Sequence, residues 1–260
     1  PASVSGHGFI DASAHRAELS AVYNRYQRVE ETDAQREGEV AVLRPLFATA
    51  WLIADFMQEA GDFGARTMLL SSASSKTAFA TAFCLKRRAG ATTRIVGATS
   101  PPRRAFASSL DVFDDVIAYD ALASLPANEP TLYIDFAGDA AFRRGVHEHW
   151  RDQLAYSCSV GGTHHEALGA GGGLPGPKPQ LFFAPTQMQK RGAPPPQGLG
   201  RAGMLAQIDE AWDEFVARAT ASETRWLTIE HRRGADAMRA AYLETLQGRA
   251  DASRGLMLSF

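Results

Sequence analysis

Residues 66–78, Arg-Thr-Met-Leu-Leu-Ser-Ser-Ala-Ser-Ser-Lys-Thr-Ala, constrain the fold more than any other stretch of the chain. Met68-Leu69-Leu70 is the short unbroken apolar run of a parallel strand buried on both faces, and Ala78, Ala82 and Leu85 recur at helical spacing beyond the serines. A strand that turns into a helix leaves free N–H groups and the positive end of a helix dipole above the strand, where anions collect. A dinucleotide-binding turn places glycines there, for the tight turn, for close approach of a pyrophosphate and for helix–sheet packing. Here those places hold Ser72, Ser75 or Lys76, and Ala78. Ser71, Ser72, Ala73, Ser74, Ser75, Lys76 and Thr77 are therefore the candidate phosphate loop, with hydroxyls and an ammonium standing in for glycine. A serine N-cap on a buried helix accounts for the same residues without any ligand.

The alternation continues along the chain. Short apolar runs at 93–98, 114–120, 130–138 and 155–162 read as strands, with helical stretches between them, including 140–154. This predicts a doubly wound parallel α/β sheet of Rossmann type, with right-handed crossovers and ligand at the carboxyl ends of the strands. Before it, Leu46, Ala50, Ile53, Ala54 and Met57 share one helix face, Pro45 suits the first turn, and Gly61 supplies the stop. Residues 30–37 read as a charged, exposed connector, and Tyr23-Asn24-Arg25-Tyr26 as a polar aromatic cluster suited to a domain seam. Residues 169–201 are rich in glycine and proline, the composition of long loops or lids, with 181–185 as a sixth strand. A helix over 204–216, a strand over 226–229, a helix over 235–246 ended by Gly248 and a strand over 255–260 complete the reading. The expected division is 1–44, 45–190 and 191–260.

A formal charge of −2, with no basic run longer than Lys86-Arg87-Arg88, gives no electrostatic footprint for nucleic acid. The sequence shows neither a signal peptide nor an apolar stretch near the roughly 20 residues that span a bilayer, so a cytoplasmic protein without membrane partners is expected. Cys84 and Cys158 are read as packed small hydrophobes. The chain opens on Pro1, so a preceding segment is expected.

At the end of the second strand a nicotinamide-binding fold carries an acid for NAD or a cation for the 2′-phosphate of NADP. Thr99, Ser100, Arg103 and Arg104 stand there, with no Asp or Glu, which favours NADP. Exposed arginines at a helix start are the alternative. A P-loop would need glycine at Leu70 and Ser75. His147 and His149 lie two apart on a helix and face different ways, and His164-His165 lacks a partner at ligand spacing, so no metal site is expected. His164, after the fifth strand, is placed to donate a proton or orient a substrate. No nucleophile elbow and no Ser-His-Asp or Cys-His triad is present.

Ser71 to Ala78, Arg44-Pro-Leu-Phe-Ala-Thr49, Tyr133-Ile-Asp-Phe-Ala-Gly138, Val160-Gly-Gly-Thr-His164 and Phe182-Phe-Ala-Pro185 together resemble the DUF2855 family over nearly the whole chain. That family is in turn similar, more distantly, to the medium-chain dehydrogenase/reductase superfamily of quinone and enoyl reductases. The resemblance implies that residues 1–44 are the remnant of a GroES-like substrate domain. It also implies a zinc-independent reductase using NADP(H) on a small molecule. Tyr119 would lie by the adenine, and Ala137, Gly138, Val160 and Gly161 by the nicotinamide. His164, Tyr23 and Lys76 are the candidate catalytic acids, and the Leu181–Ala184 strand edge is the expected homodimer contact. Two other readings stay open: a non-catalytic module that has lost the dinucleotide, and an acyl-thioester enzyme whose 169–201 loops gate an acyl carrier.

Overall fold

The computed structural model describes residues 3–6, 8–19, 24–28, 33–88, 90, 92–161, 172–222 and 225–260. Three short strands, β1 (Ser3–Ser5), β2 (Gly8–Ile10) and β3 (Arg25–Gln27), pair antiparallel near the start, with Phe9 stacked on Tyr26 at 4.7 Å. Helix α1 (Ala34–Glu59) follows, capped by Asp33, whose carboxylate accepts from the Gln35 N–H at 2.9 Å. It starts well before Pro45, within the stretch expected to be a connector, and residue 44 lies inside it. Pro45 is thus an interior residue and not part of the first turn. A lone proline removes one hydrogen bond from a helix; burial of Leu43 before it and Phe47 after it carries the helix through. Over 18 residues α1 is apolar enough to cross a bilayer by length and composition, which corrects the expectation that no stretch comes near. Its apolar residues Leu43, Phe47, Ala50, Ile53 and Met57 belong to the main core.

The sheet and its helices then alternate: β4 (Thr67–Leu70), α2 (Lys76–Arg87), β5 (Arg94–Thr99), α3 (Arg104–Ser109), β6 (Asp115–Ala118), β7 (Thr131–Asp135), α4 (Ala140–Trp150), β8 (Leu154–Ser159) and β9 (Gln180–Leu181). These six strands are all parallel, in the spatial order β6-β5-β4-β7-β8-β9. Alternate residues serve the two faces, as the pleat requires. Met68, Leu70, Leu132 and Ile134 join α1 and α2 in the main core, while Leu69, Val96, Ala98 and Tyr133 pack with Val146 and Trp150 of α4. The sixth strand is shorter than expected, and Ala184 opens a helix, α5 (Ala184–Arg191). Pro185, read as a strand end, fills the first-turn position where its missing N–H is harmless.

Helix α6 (Arg201–Thr220) adds Phe215, at the centre of an aromatic cluster with Phe47, Phe79, Phe83 and Trp226. The chain ends in β10 (Thr228–Arg233), α7 (Ala235–Leu246) and β11 (Arg254–Ser259), whose strands pair parallel as a separate two-stranded sheet. This C-terminal unit sits on α1 at two glycines. A Cβ at Gly38 would stand 2.7 Å from Ile229 Cγ2 of β10, and one at Gly255 3.3 Å from both Val42 methyl carbons of α1 and 2.8 Å from Ile229 Cδ1. Replacing Gly255 with Val is expected to lower stability by about 1–3 kcal/mol through overpacking, read as a fall in the urea midpoint.

Candidate functional site

Strand β4 leads to β5 on one side, and β7 leads to β8 on the other. The strand order therefore reverses between them, and beyond the carboxyl ends of strands at such a switch point open α/β sheets form their ligand crevice. Loop 71–75 forms one lip and residues 136–139 the other.

A single buried carboxylate joins the lips. Asp135 Oδ1 accepts from Ser71 Oγ at 2.9 Å, from the Ala137 N–H at 3.1 Å and from the Gly138 N–H at 2.9 Å. Its Oδ2 meets Arg143 Nε at 2.8 Å and Nη2 at 2.7 Å. Ser71 Oγ also accepts from the N–H groups of Phe136 and Ala137. Both charged side chains are buried, and the pair is tolerated because Asp135 Oδ1 accepts from three donors while Oδ2 meets two guanidinium nitrogens. Tyr133, one turn of the pleat below, has its hydroxyl buried without a hydrogen bond, and burial holds its pKa well above the ordinary value.

The serine loop is shaped from both sides. Ser72 has φ 53°, the left-handed region in which glycine is at ease. Its N–H donates to Tyr119 Oη at 3.0 Å, and the Ala73 N–H donates to the Ala98 carbonyl at 3.0 Å. Gly97 beside it permits that approach, since a Cβ there would lie 2.7 Å from Ala73 Cβ. Ser75 caps α2, its Oγ accepting from the Ala78 N–H at 3.3 Å, and Ser74 Oγ lies 3.3 Å from Thr99 Oγ1. Among the described residues, the N–H groups of Ser74, Lys76 and Thr77 have no protein acceptor. The serine cap and an anion-accepting helix start therefore coexist, because the cap uses only one of the orphan donors.

The cations lie beyond the loop. Lys76, Thr77, Ser74 and Ser75 line a cleft of about 530 Å³ with Arg103 and residues of the C-terminal unit. Lys76 Nζ donates to the carbonyls of Ala252 and Arg254 at 3.3 and 3.0 Å, and Arg103 Nη2 to those of Gly248 and Ala250 at 2.9 and 2.8 Å. Burial, and next the nearby Arg103, hold the Lys76 pKa below its usual value. Arg104 turns back onto β6, where Nε donates to the Val116 carbonyl at 2.9 Å. Ser100 precedes α3 and accepts the Arg103 N–H at its carbonyl. Thr99 is buried and Tyr119 half-buried; burial raises the Tyr119 pKa.

Across the crevice, the N–H groups of Val160 and Gly161 donate to the Asp135 carbonyl at 2.9 and 3.1 Å. A Cβ on Gly161 would fall 2.1 Å from the Phe136 carbonyl oxygen, so only glycine fits there. The structure thus brings Ala137, Gly138, Val160 and Gly161 together around Asp135. His164 and Tyr23 lie outside the described residues. His147 is fully buried, with Nδ1 2.9 Å from the Pro175 carbonyl and Nε2 3.0 Å from Ser157 Oγ. Among the described residues, no group of three or more His, Cys, Asp or Glu is placed to hold a metal ion. Sequence reasoning missed Arg143 and the 248–254 carbonyls. Arg143 carries a signal in the first turn of α4, but backbone acceptors carry none.

Replacing Arg143 with Met leaves the Asp135 charge buried without a cation, and is expected to lower unfolding free energy by about 3–5 kcal/mol in urea titration. His147 has its pKa lowered first by burial, so it is neutral in the fold. The unfolded chain, with a histidine pKa near 6.5, then binds the extra proton. Stability from this group is complete above that pH and declines below it, by at most about 1.4 kcal/mol per pH unit. Urea midpoints measured from pH 7 to pH 5 should fall less steeply for His147→Gln than for the parent protein.

The structure of CurA from Vibrio vulnificus in complex with NADPH matches this fold with a TM-score of 0.56 and 14% identity, over 90% of this chain and 68% of that one. CurK enoyl reductase matches with a TM-score of 0.53 and 13% identity, over 92% and 67%. Escherichia coli K-12 YhdH with bound NADPH matches with a TM-score of 0.50 and 15% identity, over 90% of this chain and 66% of that one, so the chain spans just under two thirds of its length. At these identities the likeness is one of fold, that of the Rossmann-type medium-chain reductases. No curated protein matches the chain. The family model DUF2855, described as a protein of unknown function, matches residues 1–251. The chain therefore belongs to the DUF2855 family.

Proposed function

We propose that the crevice between β4 and β7 binds NADP(H), and that the protein is a zinc-independent, medium-chain-reductase-like oxidoreductase acting on a small carbonyl or activated alkene. One observation carries the reading: the N–H groups of Ser74, Lys76 and Thr77, unpartnered among the described residues, lie beside the Lys76 side chain and Arg103, with no carboxylate at the end of β5. That donor set suits phosphate. Ser72 to Thr77 would hold the pyrophosphate, Ser100 and Arg103 the 2′-phosphate, and Tyr119 the adenine side. Ala137, Gly138, Val160 and Gly161 would border the nicotinamide. Arg104, tied to β6, contributes to the shape of that corner and less to a phosphate. The bound nicotinamide would supply hydride; the protein's part is to orient it and to exclude water. The neighbours CurA and YhdH, solved with NADPH, support the cofactor class. A homodimer through the β9 edge, where Leu181 and Phe183 are exposed, belongs to the same proposal.

A non-catalytic module is the rival reading. It is favoured by the left-handed Ser72 and by the carbonyls already held by Lys76 and Arg103. Titration with NADPH and NADH, followed by cofactor fluorescence and calorimetry, tests the proposal. NADPH is expected to bind about tenfold or more tightly than NADH, the difference made by one charge-assisted phosphate contact. No binding of either at millimolar concentration would sink the cofactor reading and leave the module.

A further inference from the structure

We propose that residues 248–254, which follow α7 and run into the first residue of β11, form a strap that occupies Lys76 and Arg103 until a phosphate-bearing ligand displaces it. The proposal rests on the reading of the crevice as an NADP(H) site only for the identity of that ligand. Four alternate carbonyls make the contact: Gly248 and Ala250 accept from Arg103, and Ala252 and Arg254 from Lys76. The strap is thus laid over the start of α2 along its own backbone, with no side chain needed.

Two features make this a held position and not simply a wall. The first is electrostatic. Among the described residues, neither Lys76 nor Arg103 has a carboxylate within ion-pair distance, although Arg87, Arg88, Arg143 and Arg191 all do. The nearest acid on the strap, Asp251, spends Oδ1 on the N–H and Oγ of Ser253 at 2.9 and 2.7 Å, and Oδ2 lies 3.4 Å from Arg254 Nε. Two neighbouring cations therefore share only neutral acceptors. An anionic phosphate oxygen makes charge-assisted bonds roughly twice as strong as neutral ones, so it outcompetes a carbonyl for the same donor.

The second feature is mechanical. The strap begins at Gly248, with φ +68°, and its other bonds are mostly local turns: Gly248 N–H to Thr245, Arg249 N–H to Glu244 and Arg254 N–H to Asp251. Its last residues are tied to β10 by the Thr228 N–H to Ser253 carbonyl bond at 2.8 Å, by the pairing of Arg254 with Thr228 and by the Arg254–Glu230 ion pair at 2.6 Å, so it hinges at that end. Residues 247–249 and 251 are exposed. Lifting the strap breaks the four cation contacts without opening the core, the kind of local release that needs far less than global unfolding.

Hydrogen exchange of the full chain tests this, with sodium pyrophosphate and NADPH as separate probes. In the parent protein, the strap amides that donate hydrogen bonds, those of Arg249, Ser253 and Arg254, should exchange about tenfold faster when pyrophosphate saturates the site, because release of the carbonyls from Lys76 and Arg103 loosens the turns these amides hold. Arg103→Met should give a similar rise with no ligand present. Inserting two glycines between Ala250 and Asp251 slackens the strap, and should tighten pyrophosphate binding several-fold. Strap amides that slow or stay unchanged with pyrophosphate, failure of pyrophosphate to bind either protein, or weaker binding by the lengthened variant would each overturn the proposal. Pyrophosphate that frees the strap while NADPH fails to bind keeps the strap and removes the cofactor reading. NADPH that binds while the strap amides stay protected does the reverse.

Discussion

The Asp135 carboxylate, buried where the strand order reverses, is the interaction on which the rest of the crevice depends. An ionised carboxylate taken out of water loses several kcal/mol of solvation. Here that loss is offset by Arg143 on one oxygen and by three hydrogen-bond donors on the other. Such a pair contributes little net stability compared with well-packed apolar residues. What it does contribute is position. Ser71 belongs to the lip after β4, Ala137 and Gly138 to the lip after β7, and Arg143 to α4, so one side chain sets the distance between all three.

That fixed frame explains how a serine-rich loop occupies a place where glycine is usual. Ser72 in the left-handed region is strained by about 1–3 kcal/mol. The strain is held by Tyr119 on its N–H, by Ala98 on the next N–H and by the Ser71–Asp135 bond just before it. The missing side chain that a glycine loop would provide is supplied from the partner strand instead, by Gly97. The loop thereby keeps a close helix–sheet approach, and Ser74 before the cap with Lys76 and Thr77 in the first turn of α2 keep three N–H groups unpartnered among the described residues.

Much of this was legible in the chain. The apolar runs of β4, β5, β7 and β8 predicted a parallel sheet, because strands buried on both faces must be continuously apolar. The serines at 71–75 marked the turn, and the absence of an acid after β5 marked the corner where Arg103 lies. Pro45 and Pro185 misled in opposite ways. A proline was given its cheapest helical place at 45, where burial carried the helix through, and was taken for a strand end at 185, where it does begin a helix. Arg103 and Arg104 look equivalent in sequence, but one faces the cleft and the other folds onto the Val116 carbonyl.

The sequence by itself determined the order of the elements, the class of sheet and the position of the loop. These follow from hydrophobic periodicity and turn chemistry, which act over a few neighbouring residues. Only the tertiary structure decided which donors of the loop stay free, that Ser71 and Arg143 converge on Asp135, and that Lys76 and Arg103 hold the carbonyls of residues 248–254. The Ser71–Asp135 and Lys76–Arg254 pairings join residues 64 and 178 positions apart, the latter through a backbone acceptor of a kind that every residue carries, and Arg143, only eight residues from Asp135, reaches it across the turn from β7 into α4. No local pattern can encode them; packing of the C-terminal unit against α1 at Gly38 and Gly255 brings the last of them together.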